Sequence, residues 1–285
     1  MDLLVQGLLL GGLYTTTALG LSLVFGVIKM VNLAHGEFLV VGAYLTSILV
    51  ALFGLDPLLL SIPAALALAA IAYPLQRYVL SPVMQRSGEA PIIVTFGVAI
   101  VAQTLLLLSF GSSPRTVNAP YATMQFEVFG VPVRTSLLIA TVIGVLLVFV
   151  LHYMLYKTPF GRRVRAASTD PEAAGFVGID TKHTYALVLS IAAGISAIGG
   201  TLIALSFAVS PESGTGWLLR AFTVVIIGGL GSIRGALVGA LILGLVETFG
   251  SAWFGPQYRD VIVFGGLVLM LLIRPSGLFG KAVRA

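Results

Sequence analysis

Nine apolar runs set the terms for this chain, at about 4–28, 36–53, 58–76, 92–111, 136–156, 184–208, 218–231, 235–254 and 259–274. A helix needs roughly 20 apolar residues to cross the hydrocarbon core of a bilayer. Most of the runs meet that length. The seventh falls short and reads as either a short crossing or one piece of a broken helix. The first run lacks a basic leader and is longer than a signal-peptide core, so it reads as the first membrane helix.

Composition points the same way. Of the 285 residues, 58% are hydrophobic and 9% are charged, against about 25% charged in an ordinary soluble domain. A water-soluble globule of this size could not hide so much apolar surface, and the mean hydropathy is +1.05. The expected fold is an all-α integral membrane protein: a polytopic bundle of about 8–9 transmembrane helices, forming a single domain over residues 1–285.

The net charge of +5 would suggest a nucleic-acid partner on a soluble protein. Here the basic residues sit between apolar runs, where they act as topology signals and headgroup contacts, so the bilayer is the expected partner and nucleic acid is not. With the 157–183 loop placed in the cytoplasm, alternation puts twelve of the 16 Lys and Arg inside, Arg86, Lys281 and Arg284 among them. Only Arg115, Arg134, Arg220 and Arg259 fall outside. The N-terminus is then expected outside and the C-terminus in the cytoplasm. The chain has no cysteine and only three histidines, none paired at ligand spacing. No catalytic, cofactor or metal site is therefore expected in it.

The 112–135 segment, rich in Gly and Pro, reads as an irregular outer loop. The 157–183 loop is the most polar stretch, and two capped helices can be read in it. Thr158 and Pro159 suit the cap and first position of one that carries Arg162, Arg163 and Arg165. Asp170, Pro171 and Glu172 open a second, which runs through Ala173, Ala174, Phe176 and Val177 and stops at Gly178. A plain connection is usually much shorter. The loop reads either as a docking ridge for a partner or as an amphipathic segment resting on the anionic leaflet.

Small residues at four-residue spacing mark helix packing: Gly7 and Gly11 in the first run, and Gly235 and Gly239 beside Ala236, Ala240 and Gly244 in the eighth. Glu247 is the only carboxylate well inside a run. It reads as a pathway group that meets a substrate ammonium, or as a structural carboxylate bonded to a neighbouring helix, and the second reading is favoured. Thr95 and Gln103 are further candidates for a path. His35, with Asn32 and Glu37 beside it, sits where an inner helix starts. It reads as a gate or ligand contact, or as a hydrogen bond that ties down a helix end.

GRRVRAASTDPEAAGFVGID, with Gly161-Arg162, Arg165-Ala166, Asp170, Ala173-Ala174 and Gly178-Ile179 in place, resembles the cytoplasmic loop of branched-chain amino acid permeases of ATP-binding-cassette importers. Asn32 to Glu37, followed by Gly42 and Tyr44, resembles that family's signature after its first helix, with Leu33 in place of Phe. GGLGSIRGALVGALILG, from Gly228 to Gly244, resembles its glycine-rich penultimate stretch. The resemblance spans nearly the whole chain and is nearer the shorter of the two permease subunits. It implies an importer-permease fold, a coupling loop seated on cytoplasmic ATPase subunits, a second permease subunit forming a heterodimer, and a periplasmic solute-binding protein. ATP would be bound on the partner subunits, since this chain has no phosphate-binding Gly-x-x-x-x-Gly-Lys-Ser/Thr loop. Members of the family also carry urea, amides and other amino acids. An ion-coupled secondary transporter is the rival reading, disfavoured by the scarcity of ionisable residues within the runs.

Overall fold

The computed structural model describes residues 1–84, 89–128, 130–274 and 276–280. Arg86, Lys281 and Arg284, three of the basic residues assigned to the inner side, lie outside the described residues. In chain order the elements are α1 (Asp2–Val27), α2 (His35–Phe53), α3 (Pro57–Pro74), α4 (Ala90–Phe110), β1 (Gln125–Val128), β2 (Val131–Arg134), α5 (Thr135–Lys157), α6 (Pro159–Thr169), α7 (Pro171–Phe176), α8 (Thr181–Ser206), α9 (Gly214–Gly228), α10 (Ile233–Phe254) and α11 (Arg259–Ile273). Eight helices among the described residues are long and apolar enough to cross a membrane. The exception among the apolar runs is α9, with 15 residues. The segment expected to be an irregular loop instead carries an antiparallel hairpin, Gln125 opposite Arg134 and Val128 opposite Val131. Val131 and Val133 turn inward while Pro132 and Arg134 stay exposed, an alternation that the neighbouring Gly and Pro residues obscure in the sequence.

Packing fixes the helix directions. Gly7 and Gly11 of α1 meet Leu245 and Leu241 of α10, so these two run antiparallel. Gly12 meets Thr141 and Gly144 meets Thr16, so α5 runs with α1. Gly42 meets Ala197 and Thr46 bonds Thr201 at 2.7 Å, so α2 runs with α8. Lys29, Arg77, Lys157, Lys182 and Arg234 then share the end that carries α6 and α7, called here the loop end.

α1 is the axle. In its most apolar window 89% of residues are buried, against 11% in α4 and 6% in the segment containing α11. Lipid-facing helices keep their apolar surface exposed because the bilayer is as apolar as a side chain, so close backbone contact takes over as the source of cohesion. A β-carbon on Gly11 would stand 2.7 Å from the Leu241 Cα and 2.8 Å from the Ala240 carbonyl oxygen. One on Gly20 would stand 2.7 Å from the Ala192 carbonyl oxygen of α8. Gly235 and Gly239 do the same work between α10 and α9, against Gly228 and Val224, while Gly244 receives Gly7 and Gly11. The sequence marks one small-residue face on α1. The helix uses several, since Gly12 and Gly20 open it to α5 and α8 as well.

Two helices begin inside the bundle. After α1 ends at Val27, residues 28–34 turn back into it through Lys29, whose φ of 57° is the one positive value at a non-glycine among the described residues. This irregular backbone finds internal partners, as membrane interiors require: Ala34 N–H donates to Asn32 Oδ1 at 3.0 Å, and Leu33 N–H to Thr95 Oγ1 at 3.2 Å. Likewise, α8 ends at Ser206, Val209 exchanges backbone bonds with Arg115 at 2.8 and 2.9 Å, and α9 starts only at Gly214. That inward start explains its length.

Replacing Gly11 by Leu forces α1 off α10 and is expected to cost at least about 1–3 kcal/mol. Gly265, with open space where a β-carbon would go, is the matched control. Thermal unfolding in detergent should show a clear loss for Gly11→Leu and almost none for Gly265→Leu.

Candidate functional site

The two inward starts meet. A β-carbon on Gly36 would collide with the Gly214 carbonyl, and the Glu37 carboxylate lies against the Gly214 Cα position. His35 is 1% exposed. Its Nε2 stands 2.7 Å from the Thr17 carbonyl, which places the ring proton on Nε2. Its Nδ1 is 3.4 Å from Ser196 Oγ, although that hydroxyl already donates to the Ala192 carbonyl at 2.8 Å. Thr17 and Ser196 sit well inside α1 and α8. The helix start that carries His35 therefore lies within the bundle, because residues 28–34 carry the chain back in, and its imidazole is hydrogen-bonded there to α1.

Asn32, His35, Glu37 and Thr95 gather here. Thr95 accepts from Leu33 and donates to the Ile92 carbonyl at 3.0 Å. Gln103 does not join them: it is half-buried, two turns further along α4. Two polar atoms in the cluster lack a hydrogen-bond partner among the described residues, Asn32 Nδ2 and Glu37 Oε2. Unpartnered buried polar groups are costly, so these two are where a ligand group or a second conformation has most to offer.

Glu247 belongs to a different cluster. It is fully buried. Tyr14 Oη donates to its Oε2 at 2.6 Å, Arg259 Nε lies 2.9 Å from Oε1, and Arg220 Nε lies 3.8 Å from Oε2. Arg220 also donates to Asp260 at 2.8 Å. Two carboxylates and two guanidiniums therefore balance, and Glu247 is bonded to residues of neighbouring helices. Sequence reasoning treated Arg220 and Arg259 as outer topology charges and missed this pairing. The signal was available, because a carboxylate inside an apolar run calls for a cation, and Arg220 opens the neighbouring run.

At the loop end the capped pair is present. Thr158 accepts from Gly161 N–H at 3.1 Å, and Asp170 accepts from Glu172 and Ala173 N–H, both at 3.0 Å. A side chain at Gly161 would strike the Leu155 carbonyl, and Gly178 takes φ 82°. The Arg165 guanidinium donates to the Leu155 carbonyl, Tyr185 Oη donates to the Ala167 carbonyl at 2.9 Å, and Ile179 N–H closes on the Ala174 carbonyl at 3.0 Å. Arg162, Arg163, Asp170, Glu172 and Ala173 are exposed, Ala166 is half-buried, and Phe176 is 92% exposed. One correction follows. Ala174 is buried against the chain itself, so the outward ridge consists of Ala173, Phe176 and Val177.

The family model described as branched-chain amino acid transport system / permease component matches residues 3–272. This chain belongs to that permease family. The permease is 34% identical to the high-affinity branched-chain amino acid transport system permease protein BraD of Pseudomonas aeruginosa, across 98% of this chain and 95% of the relative. It is 31% identical to LivH of Escherichia coli, a protein of the same description, across 97% and 94%. It is also 31% identical to the fructose import permease protein FrcC of Rhizobium meliloti, across 96% and 81%. In fold it resembles the solved PsaBC from Streptococcus pneumoniae in complex with Fab, with a TM-score of 0.52, covering 98% and 92% of the two chains at 13% identity. The permease is thus an all-α, multi-pass membrane protein, as its sequence predicts.

Removing one member of the buried cluster should cost more than its own contacts. Glu247→Leu leaves Arg220 without its buried partner and is expected to destabilise by about 3–5 kcal/mol, whereas Tyr14→Phe should cost about 1–2 kcal/mol. Denaturant titration in mixed micelles ranks the two. At the loop end, Asp180 accepts from His183 N–H at 2.8 Å and pairs with Arg77 at 3.3 Å. The backbone bond first, then the guanidinium, holds its carboxyl below the usual value. A lowered pKa means stability that is complete above the unfolded value of about 3.9 and fades as pH falls through and below it. The gap in unfolding temperature between the native chain and Asp180→Asn should stay constant above about pH 5 and close on further acidification.

Proposed function

We propose that this permease is the membrane-spanning subunit of an ATP-driven importer in the inner membrane, carrying branched-chain or similar hydrophobic amino acids. The loop of α6 and α7 would sit on a cytoplasmic ATPase, the far end would receive solute from a periplasmic binding protein, and a second, different permease subunit would complete the path. The N-terminus would be periplasmic and the C-terminus cytoplasmic. This chain would hydrolyse no ATP and bind no cofactor. Family membership and the BraD and LivH relatives support the substrate class. FrcC, named for fructose, makes the substrate the part that most needs a direct test.

The observation that carries the coupling reading is the construction of the loop. Two helices with side-chain caps are anchored to α5 and α8, yet α7 leaves Phe176 and Val177 standing clear of the chain, with Arg162 and Arg163 exposed on α6. Anchoring fixes the ridge, exposure leaves it for a partner's groove, and the arginines suit carboxylates at its rim. When ATP closes the partner subunits together, the loop would pass that motion to the helices anchoring it. Inside, the Asn32–His35–Glu37–Thr95 cluster is the best candidate for a gate or substrate contact.

The test is affinity purification from native membranes in mild detergent, with ATP-dependent leucine uptake into proteoliposomes as the second readout. Recovery of an ATPase is expected, and Ala173→Asp with Phe176→Asp should abolish both recovery and uptake while leaving the unfolding temperature unchanged. A chain that purifies without an ATPase and moves leucine on an ion gradient alone would overturn the proposal.

A further inference from the structure

Two cavities open side by side at the loop end. The first, of about 530 Å³, is lined by His152, Tyr156, Lys157, Ser232, Ile233 and Arg234. The second, of about 670 Å³, shares Tyr156, Ser232 and Ile233 with it and adds Lys29 and Arg165. No Asp or Glu is among the described residues that line either cavity. Four permanent cations and an imidazole thus surround joined space without a carboxylate to balance them. Arg234 Nη2 stands 3.2 Å from His152 Nε2, so the guanidinium meets an imidazole where an acid would be the ordinary partner. The same space receives the start of α10, where Ser232 Oγ accepts from Gly235 N–H at 3.0 Å. The Ile233 and Arg234 amides belong to the first turn, whose donors have no partner within the helix. Lys29, at the rim, holds the strained φ of 57° noted above, a feature that clusters at ligand clamps.

We infer that these cavities hold the phosphate headgroup of an anionic phospholipid. The charge calls for an anion. The choice of a lipid over a soluble anion comes from α5, whose outward side chains Val142, Leu146, Phe149, Val150 and Tyr153 are all exposed. Along the helix that row is apolar, then aromatic at Tyr153 and Tyr156, then basic at Lys157. This is the order of acyl chain, interface and headgroup in one leaflet. Acyl chains lie along α5, and the phosphate sits between Lys157 and Arg234, within reach of Lys29 and Arg165. Because Arg165 belongs to α6, the lipid touches the loop as well as the ends of α1, α5 and α10. The site stands independently of the importer reading.

The experiment uses the full chain purified with its native partners in mild detergent, with retained lipids quantified by mass spectrometry. Phosphatidylglycerol should be retained over phosphatidylethanolamine. Lys157→Gln with Arg234→Gln, the loss of two charges, should weaken that retention roughly thirtyfold. Arg134→Gln, at the far end, should leave it unchanged, and the charge-conserving pair Lys157→Arg with Arg234→Lys should keep most of it, which separates lost charge from lost fold. Delipidated complex should gain thermal stability in nanodiscs containing phosphatidylglycerol but not in phosphatidylcholine with added inorganic phosphate. Equal protection by inorganic phosphate would overturn the lipid assignment. So would retention that is indifferent to the double Gln variant, or a partner subunit cross-linking to position 234 in place of lipid.

Discussion

A backbone amide or carbonyl in the hydrocarbon core has no water to bond, and this permease departs from helix there only where it can supply a substitute. The irregular backbone of residues 28–34 is carried by Asn32 and by Thr95 of α4. The descent after α8 is carried by the paired Arg115 and Val209. Each substitution lets a helix begin within the bundle, and together they bring the starts of α2 and α9 into contact. The polar cluster around the buried His35 imidazole and the buried Glu37 carboxylate at Gly214 follows from those two re-entries.

Cohesion has a different source. Between helices in lipid the hydrophobic effect is weak, so nearness of backbones replaces it. Glycines 7, 11, 12 and 20 let α1 serve as a shared neighbour for α10, α5 and α8. Threonines 15, 16 and 17 keep their hydroxyls on their own helix, bonded to the carbonyls of Gly11, Leu13 and Tyr14 at 2.7–2.9 Å. They add polarity to α1 without demanding anything of its neighbours. The buried charges of Glu247 and its two arginines balance within a few ångströms.

Much of this was legible in the sequence, because the bilayer enforces simple rules. Run length gives the crossings, and Thr158-Pro159 and Asp170-Pro171 announce α6 and α7 down to the capping residues. Four-residue glycine spacing finds Gly7, Gly11, Gly235, Gly239 and Gly244. The places where reading fell short all involve contacts between distant segments. The sequence marks a helix start at His35, but nothing local says that residues 28–34 fold back to place it inside the bundle. Arg220 and Arg259 were counted as outer charges because their partner is on another helix. Ala174 and Ala173 look alike in sequence, and only the packing of α7 on its own chain separates them. The hairpin of β1 and β2 was hidden by the Gly and Pro around a four-residue alternation.

The α9–α10 hairpin has a mechanical consequence. Gly228 meets Gly235 and Gly239 with no room for a β-carbon on any of them, so the turn at residues 229–232 cannot flex without prising two backbones apart. The hairpin behaves as a stiff lever. The glycine contact at the loop end locks its base, and its long arm is α9, roughly 22 Å of helix at 1.5 Å per residue. The tip of that arm is Gly214, which rests on Glu37. A tilt of the whole hairpin by a few degrees therefore becomes a displacement of ångströms at the buried Glu37 carboxylate.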